Sequence, residues 1–173
     1  MFQSTLATST RMLATTAIVG AALFGAAGTA LAAPPDAFVQ AQIDQQLRTY
    51  PGGVQTGADE VSYKGGSVIV TFPSATNAAN PCTAGWYCFY QHKDFTGRKL
   101  SFRDCGGNQS LTDYGFGNQT SSWDNTTKHT VEVYDRDVSP FATLWREAPR
   151  SSSSQVSATT NEKADFFHTY CGS

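Results

Sequence analysis

The chain has 173 residues, of which 15% are charged, with a formal net charge of −2 at pH 7. It carries no basic block and no acidic tail, so nothing attracts it electrostatically to nucleic acid or to a membrane surface, and that whole class of functions is excluded. Its length suits one full domain with a small addition.

Residues 1–32 read as a secretory signal peptide. Arg11 supplies the positive start, Met12 to Ala27 is uncharged and built of small and apolar residues, and Ala30-Leu31-Ala32 is a small-x-small cleavage site. No second hydrophobic segment follows, so the mature protein is expected to be secreted, extracellular and without a membrane contact. In an oxidising compartment the four cysteines, Cys82, Cys88, Cys105 and Cys171, predict two disulfides. Zinc is disfavoured, because no Cys-x-x-Cys pair exists and no histidine stands at ligand spacing from a cysteine.

Residues 33–73 predict a helix followed by a β-hairpin. Asp36 is placed as an N-cap, and Val39, Ile43, Leu47 and Tyr50 recur at helical spacing until Pro51-Gly52-Gly53 ends the run. Glu60 to Tyr63 and Ser67 to Phe72, joined by Lys64-Gly65-Gly66, form the hairpin. A helix plus a hairpin is too small to hold a large core alone, so it packs on the rest of the chain or serves as an appendage or pro-segment. Residues 74–81 have the composition of a linker, and the domain boundary is drawn there.

From Cys82 to the C-terminus, residues 82–173, short aromatic strands alternate with Gly, Asn and Asp, the texture of an antiparallel sandwich. An internal repeat organises this part. Asn118 to Trp123 aligns with Asn161 to Phe166 at an offset of 43 residues, and Phe89-Tyr90 aligns with Val133-Tyr134 at an offset of 44. Two such copies predict two facing Greek-key units. The first opens on Tyr90 to Gly97, an aromatic, four spacers, an aromatic, one spacer and a glycine, which describes a folded hairpin with two rings closed over its turn.

Tyr90, Phe95 and Gly97, with Ser122 before the last strand, resemble the βγ-crystallin Greek key. More narrowly, Cys82-Thr-Ala-Gly-Trp-Tyr-Cys88 followed by Phe-Tyr is similar to the opening of secreted bacterial proteins in peptidase inhibitor family thirty-six, whose founding member inhibits a metalloproteinase. The resemblance covers Cys82 to Cys171. It implies a mainly β protein, a βγ-crystallin-like double Greek-key sandwich with a small N-terminal helix plus β-hairpin appendage. It also implies a Cys82–Cys88 bridge, which leaves Cys105 and Cys171 to pair. Tyr90, Phe95, Gly97, Trp123, Tyr134 and Phe166 become the structural positions of the two keys. Two departures stand out. No short disulfide loop follows Cys88, although the founding inhibitor presents its reactive bond in one. The second hairpin has Ser139 and Phe141 where the first has Phe95 and Gly97, so its turn is built differently, around Pro140.

The expected function is peptidase inhibition, by binding and not by catalysis, with an extracellular protease as partner and a monomer as the acting form. The candidate inhibitory loop is Asp135 to Phe141, with Arg136, Val138, Ser139 and Phe141 as its contact residues. The alternative is an extracellular structural or weakly calcium-binding βγ-crystallin module without a protease target. The βγ-crystallin calcium pattern is Asn/Asp-Asn/Asp-x-x-Ser/Thr-Ser, and Gly117 to Ser122 keeps most of it, with Asn118, Gln119, Ser121 and Ser122 as candidate ligands. Read at the same offset, the second copy, Thr160 to Asp165, has Ala164 at the hydroxyl position and Lys163 beside the site. No other cofactor is expected. His92, His129 and His168 are scattered, and no catalytic motif accompanies them. Sequons at Asn108, Asn118 and Asn125 are read as surface turns.

Overall fold

The computed structural model of the protein describes residues 36–74 and 80–171. The segment read as a signal peptide lies outside them, as do residues 75–79 of the linker. Among the described residues no helix is long and apolar enough to cross a membrane.

Helix α1 spans Ala37–Thr49, and Asp36 caps it by accepting a hydrogen bond from the Phe38 N–H at 2.9 Å. Val39 and Ile43 are buried, while Leu47 and Tyr50 pack at the edge of the core, as the helical spacing requires. Gln46 is buried as well. Its Nε2 donates to the Tyr63 hydroxyl and to the Tyr114 carbonyl, both at 3.0 Å, so the amide is satisfied in a place where an apolar residue would be the default. Next come β1 (Val54–Gln55), β2 (Glu60–Tyr63) and β3 (Val68–Thr71), with β2 and β3 joined through a tight turn over Lys64–Gly66 in which all three residues have positive φ.

The remaining strands make two units of four. The first unit is β4 (Tyr87–Tyr90), β5 (Lys99–Phe102), β6 (Gly107–Ser110) and β7 (Ser122–Asn125). The second is β8 (Thr130–Asp135), β9 (Ala142–Glu147), β10 (Ser151–Ser153) and β11 (Phe166–Tyr170). In each unit the first strand lies between the second and the fourth, and the third crosses to the other sheet: β6 pairs with β11, and β10 pairs with β7. The sheets therefore read β1-β2-β3-β5-β4-β7-β10 and β6-β11-β8-β9. Two Greek keys that exchange their third strands form the βγ-crystallin fold expected from the sequence.

The helix and hairpin do not stand apart from this domain. β3 pairs with β5 along Val68↔Phe102 to Thr71↔Lys99, which extends the first sheet by three strands. Edge-to-face contacts run from Phe167 to Phe102, Tyr114 and Tyr63, at centroid distances of 4.8, 5.7 and 5.0 Å, and carry the inter-sheet core into the hairpin. The boundary drawn at residues 74–81 thus separates no two bodies; the described residues on its two sides belong to one compact unit. Composition marked a flexible connection, but β5 would otherwise be an open sheet edge, and β3 satisfies its backbone groups.

The repeat also needs a correction. Tyr90 lies opposite Ser122 and Tyr134 opposite Phe166, while Phe89 lies opposite Trp123 and Val133 opposite Phe167. The structural offset is 44 residues throughout, so Trp123 corresponds to Phe167, not to Phe166. A slip of one residue moves a side chain to the opposite face. Phe167 is fully buried against Phe89 and Phe102, whereas Phe166 stacks on Tyr134 on the other face of the sheet.

Candidate functional site

The first hairpin closes as its sequence implies. Tyr90 is fully buried, and Phe95 meets it edge-to-face at 5.5 Å. Asp94, Phe95 and Gly97 all have positive φ, and a Cβ on Gly97 would stand 2.6 Å from His92 Cδ2, so only glycine fits there. Ser122 pins the fold-over: its hydroxyl donates to the His92 carbonyl at 2.6 Å and accepts from the Phe95 N–H at 3.2 Å. This corner is structural.

The second hairpin lacks that pin, because Phe166 occupies the place of Ser122 and has no hydroxyl. Instead, Phe166 becomes the platform of an open loop. Tyr134 stacks on it at 4.9 Å, Phe141 meets it edge-to-face at 5.3 Å, and the Arg136 guanidinium lies 5.3 Å from its centre. The base of the loop is held by carboxylates. The Arg136 N–H donates to Asp165 Oδ2 and the Asp137 N–H to Asp135 Oδ1, while Asn118 Nδ2 donates to Asp137 Oδ2, at 2.9, 2.8 and 2.9 Å. Arg136, Val138, Ser139 and Phe141 all face solvent, and the Ser139–Pro140 bond is cis.

The candidate calcium ligands have separate hydrogen-bond partners. Gln119 Oε1 accepts from Arg98 Nη2 at 2.7 Å and from Gln91 Nε2 at 3.3 Å, and the Ser122 hydroxyl belongs to the first hairpin. Ser121 is buried. Of the four, Asn118 alone reaches an acidic group, Asp137. The corrected register places Asp165, not Ala164, at the position of Ser121. Its carboxylate joins those of Asp135 and Asp137, with one oxygen from each lying within 4.8 Å of the others. Burial raises the Asp165 pKa, and the Asp137 and Asp135 charges raise it further. The sequence pattern missed this cluster because it joins β8 to the start of β11, and a one-residue slip hid its third member.

Cys82 is bonded to Cys88 and Cys105 to Cys171. His129 lies close to Cys105 and Cys171, but both sulfurs are already bonded to each other and are not thiolate ligands. The His168 ring pairs with Asn108 Oδ1 at 2.8 Å. The sequon at Asn125 is not a surface turn: that side chain is fully buried, donates to the His129 and Ala148 carbonyls, and accepts from Thr127. Asn108 lies on β6.

This geometry defines a βγ-crystallin-type double Greek key with one closed and one open hairpin. Residues 75–138 match the model of Peptidase inhibitor family I36, so the resemblance read from the opening of the domain holds over that segment. The match ends inside the open loop, and β9 to β11 lie beyond it. Several solved structures are similar to the chain. One, described as "Evolution of the eye lens beta-gamma-crystallin domain fold", is 18% identical, covers 62% of this chain and 100% of its own, and superposes with a TM-score of 0.45. βγ-Crystallin domains from Clostridium beijerinckii and Flavobacterium johnsoniae are 20% and 19% identical, cover 49% and 51% of this chain and 95% and 98% of their own, and give TM-scores of 0.40 and 0.38. No curated protein matches the chain.

Proposed function

We propose that the protein is a secreted peptidase inhibitor that offers the loop Arg136–Phe141 to an extracellular protease and acts by binding, as a monomer. One observation carries this reading: the loop exposes Val138 by 44% and Phe141 by 60%, while its base is fixed by Asp165, Asp135, Asn118 and Phe166. A loop ordered before docking loses little conformational freedom on binding, and two apolar side chains on it suit specificity pockets. Here hydrogen bonds and ring contacts take the place of the short disulfide loop of the founding inhibitor. The match to an inhibitor family supports the class of activity, and the two disulfides are consistent with an extracellular setting.

The test is a titration of the purified protein against a thermolysin-like metalloprotease and a subtilisin-like serine protease. Inhibition of one of them is expected, weakened about tenfold or more in Val138→Asp at an unchanged melting temperature. No inhibition of either at micromolar excess would overturn the reading.

The carboxylate cluster favours a second reading, a calcium-binding module. Asp135, Asp137 and Asp165 are hard oxygen donors that suit that cation, and each already orients one oxygen through an N–H donor. Calorimetry with calcium separates the two readings: heat that vanishes in Asp165→Asn supports the module, and its absence from the parent protein removes it.

A further inference from the structure

β11 is paired on both sides, and its ladders bring three metal-ligand residues to one corner of the four-stranded sheet. Tyr170 lies opposite Thr130 and Thr169 opposite Gly107. Cys171, just past the end of β11, therefore comes beside His129, just ahead of β8, and beside Cys105, which precedes β6. One ligand atom from each of these three residues lies within 4.8 Å of the others. No spacing in the sequence relates His129 to either cysteine; the ladders do.

Both cysteines are exposed and His129 is half-buried, so the corner is open to solvent. The other bridge differs, since Cys88 is buried and its sulfur lies 3.4 Å from the Ser101 hydroxyl. Thiol–disulfide exchange depends on access, so Cys105–Cys171 is the bridge that a reductant meets first. While this bridge is intact its sulfurs ligate nothing, and reduction changes what the corner can do. A dithiol attacks one sulfur through its thiolate, forms a mixed disulfide and releases the other cysteine sulfur as a thiolate. The second thiol of the reagent then closes the reagent's own disulfide and frees the second cysteine, so two electrons pass from the dithiol to the bridge. The ladders on either side of β11 are backbone hydrogen bonds and keep both freed cysteines beside His129.

We propose that the corner, once reduced by a dithiol, is a zinc site in which Cys105, Cys171 and His129 are the protein ligands. Two thiolates and an imidazole are a donor set that zinc favours, and bonds of about 2.0–2.3 Å at tetrahedral angles set the ligand atoms about 3.5–3.8 Å apart. The 5.9 Å between the two cysteine Cα atoms accommodates that spacing. The His129 backbone is fixed, its N–H donating to Thr127 Oγ1 at 3.1 Å and its carbonyl accepting from Asn125 Nδ2 at 2.8 Å, while among the described residues its ring makes no hydrogen bond. Cys105 and His129 both line a cavity of about 490 Å³, from which water can supply a fourth ligand. Arg103, Lys128 and Arg150 line it too, and nearby cations favour the thiolate form that ligates. Zinc uptake releases the two thiol protons and restores, as a coordinate link, the tie between the approach to β6 and the end of β11. The site uses no residue of the Arg136–Phe141 loop and stands or falls independently of protease inhibition.

The experiment takes the purified protein reduced with dithiothreitol, freed of it without oxygen, and titrated with cobalt(II) and then zinc(II). One cobalt per chain is expected, with the visible and near-ultraviolet bands of thiolate-bound cobalt, which zinc abolishes; the oxidised protein gives no such bands. In His129→Ala, which keeps both thiols, the affinity should fall about tenfold or more. Reduced Cys105→Ser/Cys171→Ser protein, which still contains Cys82 and Cys88, should give no band. Absence of the bands from the reduced parent protein would overturn the proposal, as would undiminished affinity in His129→Ala, bands that persist in the double variant, or a zinc-loaded reduced chain that lacks the near-ultraviolet circular dichroism of the folded protein.

Discussion

Asn118 and Glu162 are counterparts across the two Greek keys: both have φ of 56°, and each donates its N–H into the other key, Asn118 to the Ala164 carbonyl at 2.9 Å and Glu162 to the Thr120 carbonyl at 3.2 Å. This reciprocal pair fixes the two-fold relation between the units. It also makes the differences between equivalent positions meaningful, above all serine against phenylalanine at 122 and 166.

Ser122→Ala should destabilise the protein by about 1–2 kcal/mol, since it leaves the Phe95 N–H and the His92 carbonyl without their shared partner. Chemical denaturation measures this. Because the change opens the first hairpin, hydrogen exchange at the Phe95 amide should rise more than elsewhere; an unchanged exchange rate there would remove Ser122 from its pinning role.

Glu147 is fully buried, accepts from Trp145 Nε1 at 3.0 Å, and has its pKa raised by burial from an ordinary 4.5 to about 8. Between those values the unfolded chain has released the proton while the folded chain keeps it. Stability therefore falls as pH rises through that window, by about 1.4 kcal/mol per pH unit for one proton, and is level outside it. Glu147→Gln should flatten the profile, matching the parent protein below pH 4.5 and exceeding it above pH 8. Melting temperatures across this range provide the check, and parallel profiles for the two proteins would contradict the assignment.

The bridges should differ in worth. Cys82–Cys88 closes a separation of 6 residues and Cys105–Cys171 one of 66, so loop-closure entropy gives about 2 kcal/mol for the first and about 4 kcal/mol for the second. Serine pairs at each bridge, compared by urea unfolding, should rank in that order.

Ile43→Ala should cost about 3 kcal/mol, because Ile43 is fully buried in the common core. The loss should shift a single cooperative transition rather than split it. An early separate transition would mean that α1 melts independently of the Greek keys.

Much of the fold was legible in the sequence, and the exceptions have physical causes. Asp36, Val39 and Ile43 announce the helix, and Tyr90, Phe95 and Gly97 announce the first corner, because capping, periodicity and a positive-φ glycine are local effects. The pairing of β3 with β5 was not legible, since strand partnership is set by which edge remains open. Asp165 was hidden for a different reason: only the ladder Tyr134↔Phe166 fixes its register. The contacts of Gln46 and Gln119 with Arg98 were not legible either, and Gln119 was read as a calcium ligand instead, because a glutamine that meets a buried arginine has the same local pattern as one in water.

The bridge from Cys105 to Cys171 ties the segment before the open loop to the last strand after it. Were an attacking protease to cut between Arg136 and Phe141, the C-terminal piece would remain covalently attached, with β10 still laid on β7 in the far sheet and β11 still between β6 and β8. A nick in this loop yields no separable fragment. Under the proposed function, a clipped chain held by this bridge and by both sheets would go on occupying the enzyme that cut it.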